Sequence, residues 1–139
     1  MTTIDSDAHV LETTRTWDFL AEHEARYRPM IVAQIEGGQD TGLQGNAISQ
    51  YWVVDGRLHD KERNLDTTTS VESRELRDVA ARVKHMDELN IDVQVLYPTL
   101  FIRPYTSKAE VEYALCRSYN RWLAEINAQA PARLRSRSG

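Results

Sequence analysis

The sequence predicts an α/β fold built on parallel strands, and three observations carry that expectation. Residues 3–10 and 91–97 have the apolar alternation or short apolar run of strands. Between them Leu76, Val79, Val83, Met86 and Asn90 recur three and four residues apart, the spacing of one helix face. Strand, helix and strand in that order read as a right-handed parallel crossover. At 139 residues with 41% hydrophobic content, the chain is long enough to bury a core and is bounded to about one domain.

The first strand holds the candidate chemistry. Strand geometry repeats every two residues, so Asp5, Asp7 and His9 are expected on one face and Ile4, Ala8 and Val10 on the other. A carboxylate and an imidazole are donors that hold a catalytic divalent metal, which makes Asp7 and His9 candidate ligands. The alternative is a strand end where Asp caps a loop and His sits half-buried.

Residues 17–27 carry helical spacing, Pro29 punctuates them, and Gly37, Gly38, Gly42 and Gly45 mark a loop. Residues 50–54 and 57–59 then flank Asp55-Gly56, a pair that accepts the positive φ angles of a tight turn, so a small β-hairpin is expected. The insertion of roughly 60 residues between the first strand and its helix is long for a βα connection. Long loops of this kind often shape a substrate pocket; the alternative is an accessory flap with no part in the chemistry.

A helix is expected over 71–89, opened by Thr69 and Glu72 at the spacing of a capping box. Arg74, Arg77, Asp78, Arg82 and Asp87 fall off its apolar stripe and read as a solvated face. Asn90 tolerates the left-handed conformation and ends the helix, and the second strand, 91–97, is stopped by Pro98. Ser107 and Glu110 announce a second long helix through Val111, Ala114, Leu115, Ser118, Trp122 and Ile126, ended by Pro131. Tyr119 and Trp122 read as core or interface aromatics, and His59 in the hairpin and His85 in the helix as structural.

A formal charge of -4 argues against a general nucleic-acid binder, and no Lys/Arg stripe interleaved with aromatics is present. No apolar stretch reaches the 18 or so residues of a membrane span, and Met1-Thr2-Thr3 leads directly into a strand without a signal peptide. A cytoplasmic protein with neither a nucleic-acid nor a membrane partner is expected. The single cysteine, Cys116, permits no internal disulfide and reads as a small core or surface thiol. A Gly-rich phosphate loop, cysteine pairs and a nucleophile elbow are all missing from the sequence.

Ile4-Asp5-Ser6-Asp7-Ala8-His9-Val10-Leu11-Glu12, the stretch 82–99 and Tyr119-Asn120-Arg121-Trp122-Leu123 resemble the amidohydrolase superfamily. The branch they look most like is the amidohydrolase-related one that includes the aminocarboxymuconate-semialdehyde decarboxylase-like proteins. In this superfamily an Asp-x-His-x-His run ends the first strand of a (β/α)8 barrel; here Asp7 stands in place of the first His of the pair. The resemblance implies that Asp7 and His9 hold a divalent metal, zinc by preference with manganese or magnesium as alternatives. Asp5 would support them by hydrogen bonding, and Tyr97 and Thr99 would line the substrate pocket at the same barrel face. The metal would act as Lewis acid on a small carboxylated or aromatic-derived compound, for hydrolysis or for non-oxidative decarboxylation, in an enzyme able to form homo-oligomers.

Eight βα units need roughly 250 residues, so residues 1–132 are expected to be the N-terminal part of such a barrel, with two βα units and a hairpin insertion. Residues 133–139 read as a basic Ser/Arg tail. A further metal-binding His and a catalytic Asp would lie beyond residue 139, which leaves the catalytic residues unidentified and implies a fragment inactive alone. The rival reading is a non-catalytic truncated product or interaction module, pairing with a partner that supplies the remaining strands.

Overall fold

The computed structural model describes residues 1–35, 48–61 and 69–136. Their elements in chain order are β1 (Ile4–Val10), β2 (Met30–Ile35), β3 (Ile48–Val54), β4 (Arg57–Asp60), α1 (Val71–Arg74), α2 (Val79–Glu88), β5 (Val93–Pro98), α3 (Ala109–Gln129) and β6 (Leu134–Ser136). Short 3-10 turns at Thr14–Trp17, Glu22–Tyr27 and Leu100–Ile102 complete the connections. One sheet has the order β1-β5-β6 and is parallel throughout; the other, β2-β3-β4, is antiparallel. In sequence α2 lies between β1 and β5, and α3 between β5 and β6. This βαβαβ succession is the mixed α/β architecture expected, and it is how a partial (β/α)8 barrel begins.

The parallel sheet is held by its helix layer. Ala8, Val10, Leu96 and Leu134 from the strands pack with Val79 and Met86 of α2 and with Tyr119, Trp122, Leu123 and Ile126 of α3. The spacing of those α3 residues puts them on one stripe, and each such buried side chain contributes about 1.5–3 kcal/mol. A second core joins the antiparallel sheet to the start of α3 through Trp17, Trp52, Val54, Tyr105, Val111 and Leu115. Trp17 meets Trp52 and Phe101 edge-on, with ring centroids 5.9 and 6.1 Å apart. The insertion is therefore docked against α3 and the loop after β5.

Several expectations are corrected by tertiary context. The helix expected over 71–89 is two helices, because Leu76 takes a left-handed φ of 50° with its side chain buried, and Asp78 starts a new helix by accepting from the Ala81 N–H at 3.2 Å. The cap of α1 is Ser70, bonded to the Ser73 N–H, in place of the Thr69–Glu72 box. The Ser107–Glu110 box does not form either. Thr106 Oγ1 accepts from the Lys108 N–H instead, while Lys108 reaches across to Asp55.

Residues 17–27 form 3-10 turns around the fully buried Trp17 where a helix was expected. β2 is a strand that the sequence reading passed over; it pairs with β3 and extends the expected hairpin to a three-stranded sheet with β3 at its centre. The hairpin turn itself is as expected, with positive φ at Asp55 (49°) and Gly56 (74°).

The sheet also continues past residue 132. Leu134 is fully buried beside Gln94 in β6, so the stretch expected as a basic tail supplies a third parallel strand. Arg133 anchors it, with Nη2 2.6 Å from Asp87 Oδ1 and Nε 2.7 Å from the Asp92 carbonyl. The expected glycine loop lies outside the described residues. Among the described residues no helix is long and apolar enough to cross a membrane.

Candidate metal centre at the end of the first strand

β1 and β5 are out of step by one residue. Asp5 pairs with Gln94 and Ala8 with Leu96, so three residue steps on β1 span two on β5, which is a bulge around Ser6 and Asp7. Past the bulge, Ala8 and Val10 turn into the helix-side core and His9 stands beside Tyr97, their ring centroids 6.2 Å apart. The expectation that Asp5 shares a face with Asp7 and His9 is corrected by this extra residue. Asp5 turns to Gln94, from which its carboxylate accepts, and lines one cleft with Asp7 and His9.

Asp7 and His9 do come together. His9 Nε2 lies 3.4 Å from Asp7 Oδ1, on side chains that are 42% and 85% exposed. The other ring nitrogen, Nδ1, is 3.0 Å from the Pro98 carbonyl. A carbonyl can only accept, so Nδ1 carries a proton and donates it there, which leaves Nε2 as the nitrogen facing the carboxylate. This is how metal-ligating histidines are oriented, by a hydrogen bond from the nitrogen that does not coordinate. A carboxylate and an imidazole are donor types that a divalent cation accepts. Among the described residues no third His, Cys, Asp or Glu completes a group of three.

Behind the pair runs a chain of hydrogen bonds that the sequence reading missed. Asp5 Oδ1 accepts from the Asp7 N–H at 3.2 Å, and Asp5 Oδ2 accepts from Gln94 Nε2 at 2.9 Å. Gln94 Oε1 in turn accepts from Arg82 Nε at 2.7 Å. Arg82 also donates through Nη1 to the Ser73 carbonyl and through Nη2 to the His9 carbonyl, both at 3.4 Å. Burial pushes the Arg82 pKa down, opposed by the nearby Asp5 charge. Arg82 was assigned to the solvated helix face, yet it is 6% exposed. The signal was present: it lies three residues after Val79 and four before Met86, on the stripe those two define.

The strand ends are tied beside the pair. Thr99 Oγ1 donates to the Val10 carbonyl at 2.7 Å, so this pocket candidate has its hydroxyl engaged in holding β1 to the end of β5. Glu12, buried and unremarked in the sequence, accepts from the backbone N–H groups of Thr99 at 3.0 Å and Leu100 at 3.1 Å. Tyr97 is half-buried with its ring toward His9. His85 lines the same cleft as Asp7, His9 and Arg82. His59 lines a separate cleft with Glu12, Trp52, Lys61 and Arg103, and its Nε2 is buried without a hydrogen-bond partner among the described residues.

A parallel sheet with helices between its strands defines the class, that of α/β folds, and the Asp7–His9 pair lies near the C-terminal end of its first strand. No family model matches the chain, and no curated protein does. Among solved structures the chain is similar to an amidohydrolase from Mycobacterium avium subsp. paratuberculosis K-10, at 16% identity and a TM-score of 0.62. The match covers 97% of this chain and 41% of that one, so these residues span about two fifths of that amidohydrolase. At this identity the likeness is one of fold, consistent with part of a (β/α)8 barrel.

Proposed function

We propose that these residues carry the first two ligands, Asp7 and His9, of a divalent-metal centre in an amidohydrolase-related enzyme. The observation that carries the reading is the His9 ring, tied through Nδ1 to Pro98 with Nε2 facing Asp7 at 3.4 Å. Zinc is the preferred ion, with manganese or magnesium as alternatives; a carboxylate in place of the family's first His fits each of them. A bound ion would supply Lewis acidity, to a water for hydrolysis or to a substrate carboxylate for non-oxidative decarboxylation. The resemblance to the aminocarboxymuconate-semialdehyde decarboxylase-like branch favours decarboxylation of a small carboxylated compound, with hydrolysis close behind. In either reaction Tyr97 would border the substrate beside His9, and Thr99 and Glu12 would hold the two strand ends in place.

Catalytic zinc sites normally take three protein ligands, so the 139-residue chain by itself should bind metal weakly and turn over no substrate. Titration of Zn²⁺ or Mn²⁺ into this protein and into an Asp7→Ala, His9→Ala double variant tests the site, and equal affinity for the two would remove it. Assay against carboxylated aromatic or muconate-type acids, before and after joining the C-terminal portion of a related barrel, tests the activity. Turnover is expected only in the joined protein. Turnover by the 139-residue chain that disappears in Asp7→Ala would show that the further strands are dispensable.

A further inference from the structure

We propose that Arg82, acting through Gln94 and Asp5, is the positioning residue of the Asp7–His9 pair; the proposal rests on the metal reading above. The bulge in β1 decides where those two side chains point. Without it Asp5 would share their face, and Asp7 would stand at a different register against β5. The bonded chain grips the bulge at three points. Asp5 holds the Asp7 N–H, Gln94 holds Asp5 from the neighbouring strand, and Arg82 holds both Gln94 and the His9 carbonyl.

Arg82 is in turn bonded to the Ser73 carbonyl of α1, so the helix layer sets the pair's geometry. A guanidinium in this position carries a desolvation penalty that a Leu or Met would avoid. What it makes instead is a set of directed bonds ending on residues 5, 7 and 9 of one strand. Supporting contacts of this kind typically alter metal affinity by 10–100-fold without touching the ion.

The test uses the ¹⁵N-labelled 139-residue chain, with Gln94→Met and Asp5→Ala to cut the chain of bonds and Val79→Ala to lower stability without touching it. Two readouts are taken: the His9 ring tautomer in metal-free protein, and the Mn²⁺ concentration that half-broadens the His9 signals. Wild type should show the Nδ1–H tautomer. In Gln94→Met and Asp5→Ala that tautomer should become mixed and the Mn²⁺ midpoint should rise about tenfold or more. Val79→Ala should lower the melting temperature and leave both readouts unchanged. Retention of the wild-type tautomer and midpoint in both cut variants would overturn the proposal, as would loss of both in Val79→Ala. Should Gln94→Met fail to fold, Asp5→Ala at the sheet edge carries both measurements. Absence of Mn²⁺ broadening in wild type would overturn the metal reading alone, because the tautomer is read without metal.

Discussion

His9 is oriented by a backbone carbonyl, while the residue that steers its strand, Arg82, reaches it from α2. Removing the guanidinium leaves the buried Gln94 carbonyl oxygen without its donor and Asp5 without a nearby positive charge. Arg82→Met should therefore lower stability by about 2–4 kcal/mol, whereas Lys84→Met, in the same helix and exposed, should stay within about 0.5 kcal/mol. Urea unfolding compares the two; similar midpoints would show that the buried bonds carry little. Tyr119 presents the opposite case. Its hydroxyl is buried without a hydrogen-bond partner among the described residues, and burial, aided by the Glu12 charge, pushes its pKa far up. Tyr119→Phe should keep stability within about 1 kcal/mol of wild type, since the hydroxyl contributes no bond to lose. A loss beyond about 2 kcal/mol would mean that the hydroxyl has a partner in solution.

Between elements, the joints decide more than the elements do. Asn90 ends the turn after α2 with a φ of 55° and is exposed, so its conformation is the constraint and its side chain is expendable. Asn90→Gly should be neutral or stabilising by up to about 1 kcal/mol, and Asn90→Val should cost about 1–2 kcal/mol, both read by thermal unfolding. Another joint ties the β3–β4 hairpin to α3 through Asp55, bonded to Lys108 Nζ at 2.6 Å and Thr106 Oγ1 at 3.1 Å. The Lys108 hydrogen bond holds the Asp55 pKa below its ordinary 3.8, and the same bond raises that of Lys108 above 10.5. A depressed carboxylate contributes above its unfolded pKa and loses that contribution as pH falls through the folded one; a raised lysine loses its contribution as pH rises through its folded value. The joint should thus hold between about pH 4 and pH 10.5 and weaken on the acid side first as pH is lowered. Chemical shifts of the Asp55 and Lys108 side chains against pH would check this. An Asp55 midpoint at or above 3.8 would show that the joint is not formed.

For the molecule as a whole, the parallel sheet has β1 at one side and β6 at the other, each paired with β5 alone among the described residues. Unpaired strand edges template association. On the face away from the helix-side core, Ile4 is 58% exposed and Val93, Val95 and Tyr97 are only partly covered. In a barrel that face would be the filled interior. The isolated 139-residue polypeptide should accordingly self-associate, and sedimentation velocity should show concentration-dependent species that collapse to a single one when the C-terminal portion of a related barrel is joined. A monodisperse monomer at high concentration would argue that this sheet face needs no cover.

What the sequence determined by itself is whatever depends on near neighbours. The spacing of Val79, Val83 and Met86 specifies a helix, Asp55-Gly56 specifies a two-residue turn, Asn90 specifies a helix end, and the order of these elements specifies parallel β1 and β5. The residue types of Asp7 and His9 were legible in the same way. Only the tertiary structure decided the rest. A bulge is invisible in one strand, because it exists only as a mismatch of register with another; that mismatch turned Asp5 away from His9 and toward Gln94. Leu134–Ser136 is too short for any periodicity to declare it, and it is a strand because β5 offers it an edge and the core offers Leu134 a place. The place of Arg82 on the Val79–Met86 stripe is legible in the sequence, but its partners, Gln94 and the Ser73 and His9 carbonyls, are not. Local pattern sets backbone shape within a few residues, but which polar groups are buried, and with what partner, is fixed by elements up to 102 residues apart in the chain that meet only in the folded protein.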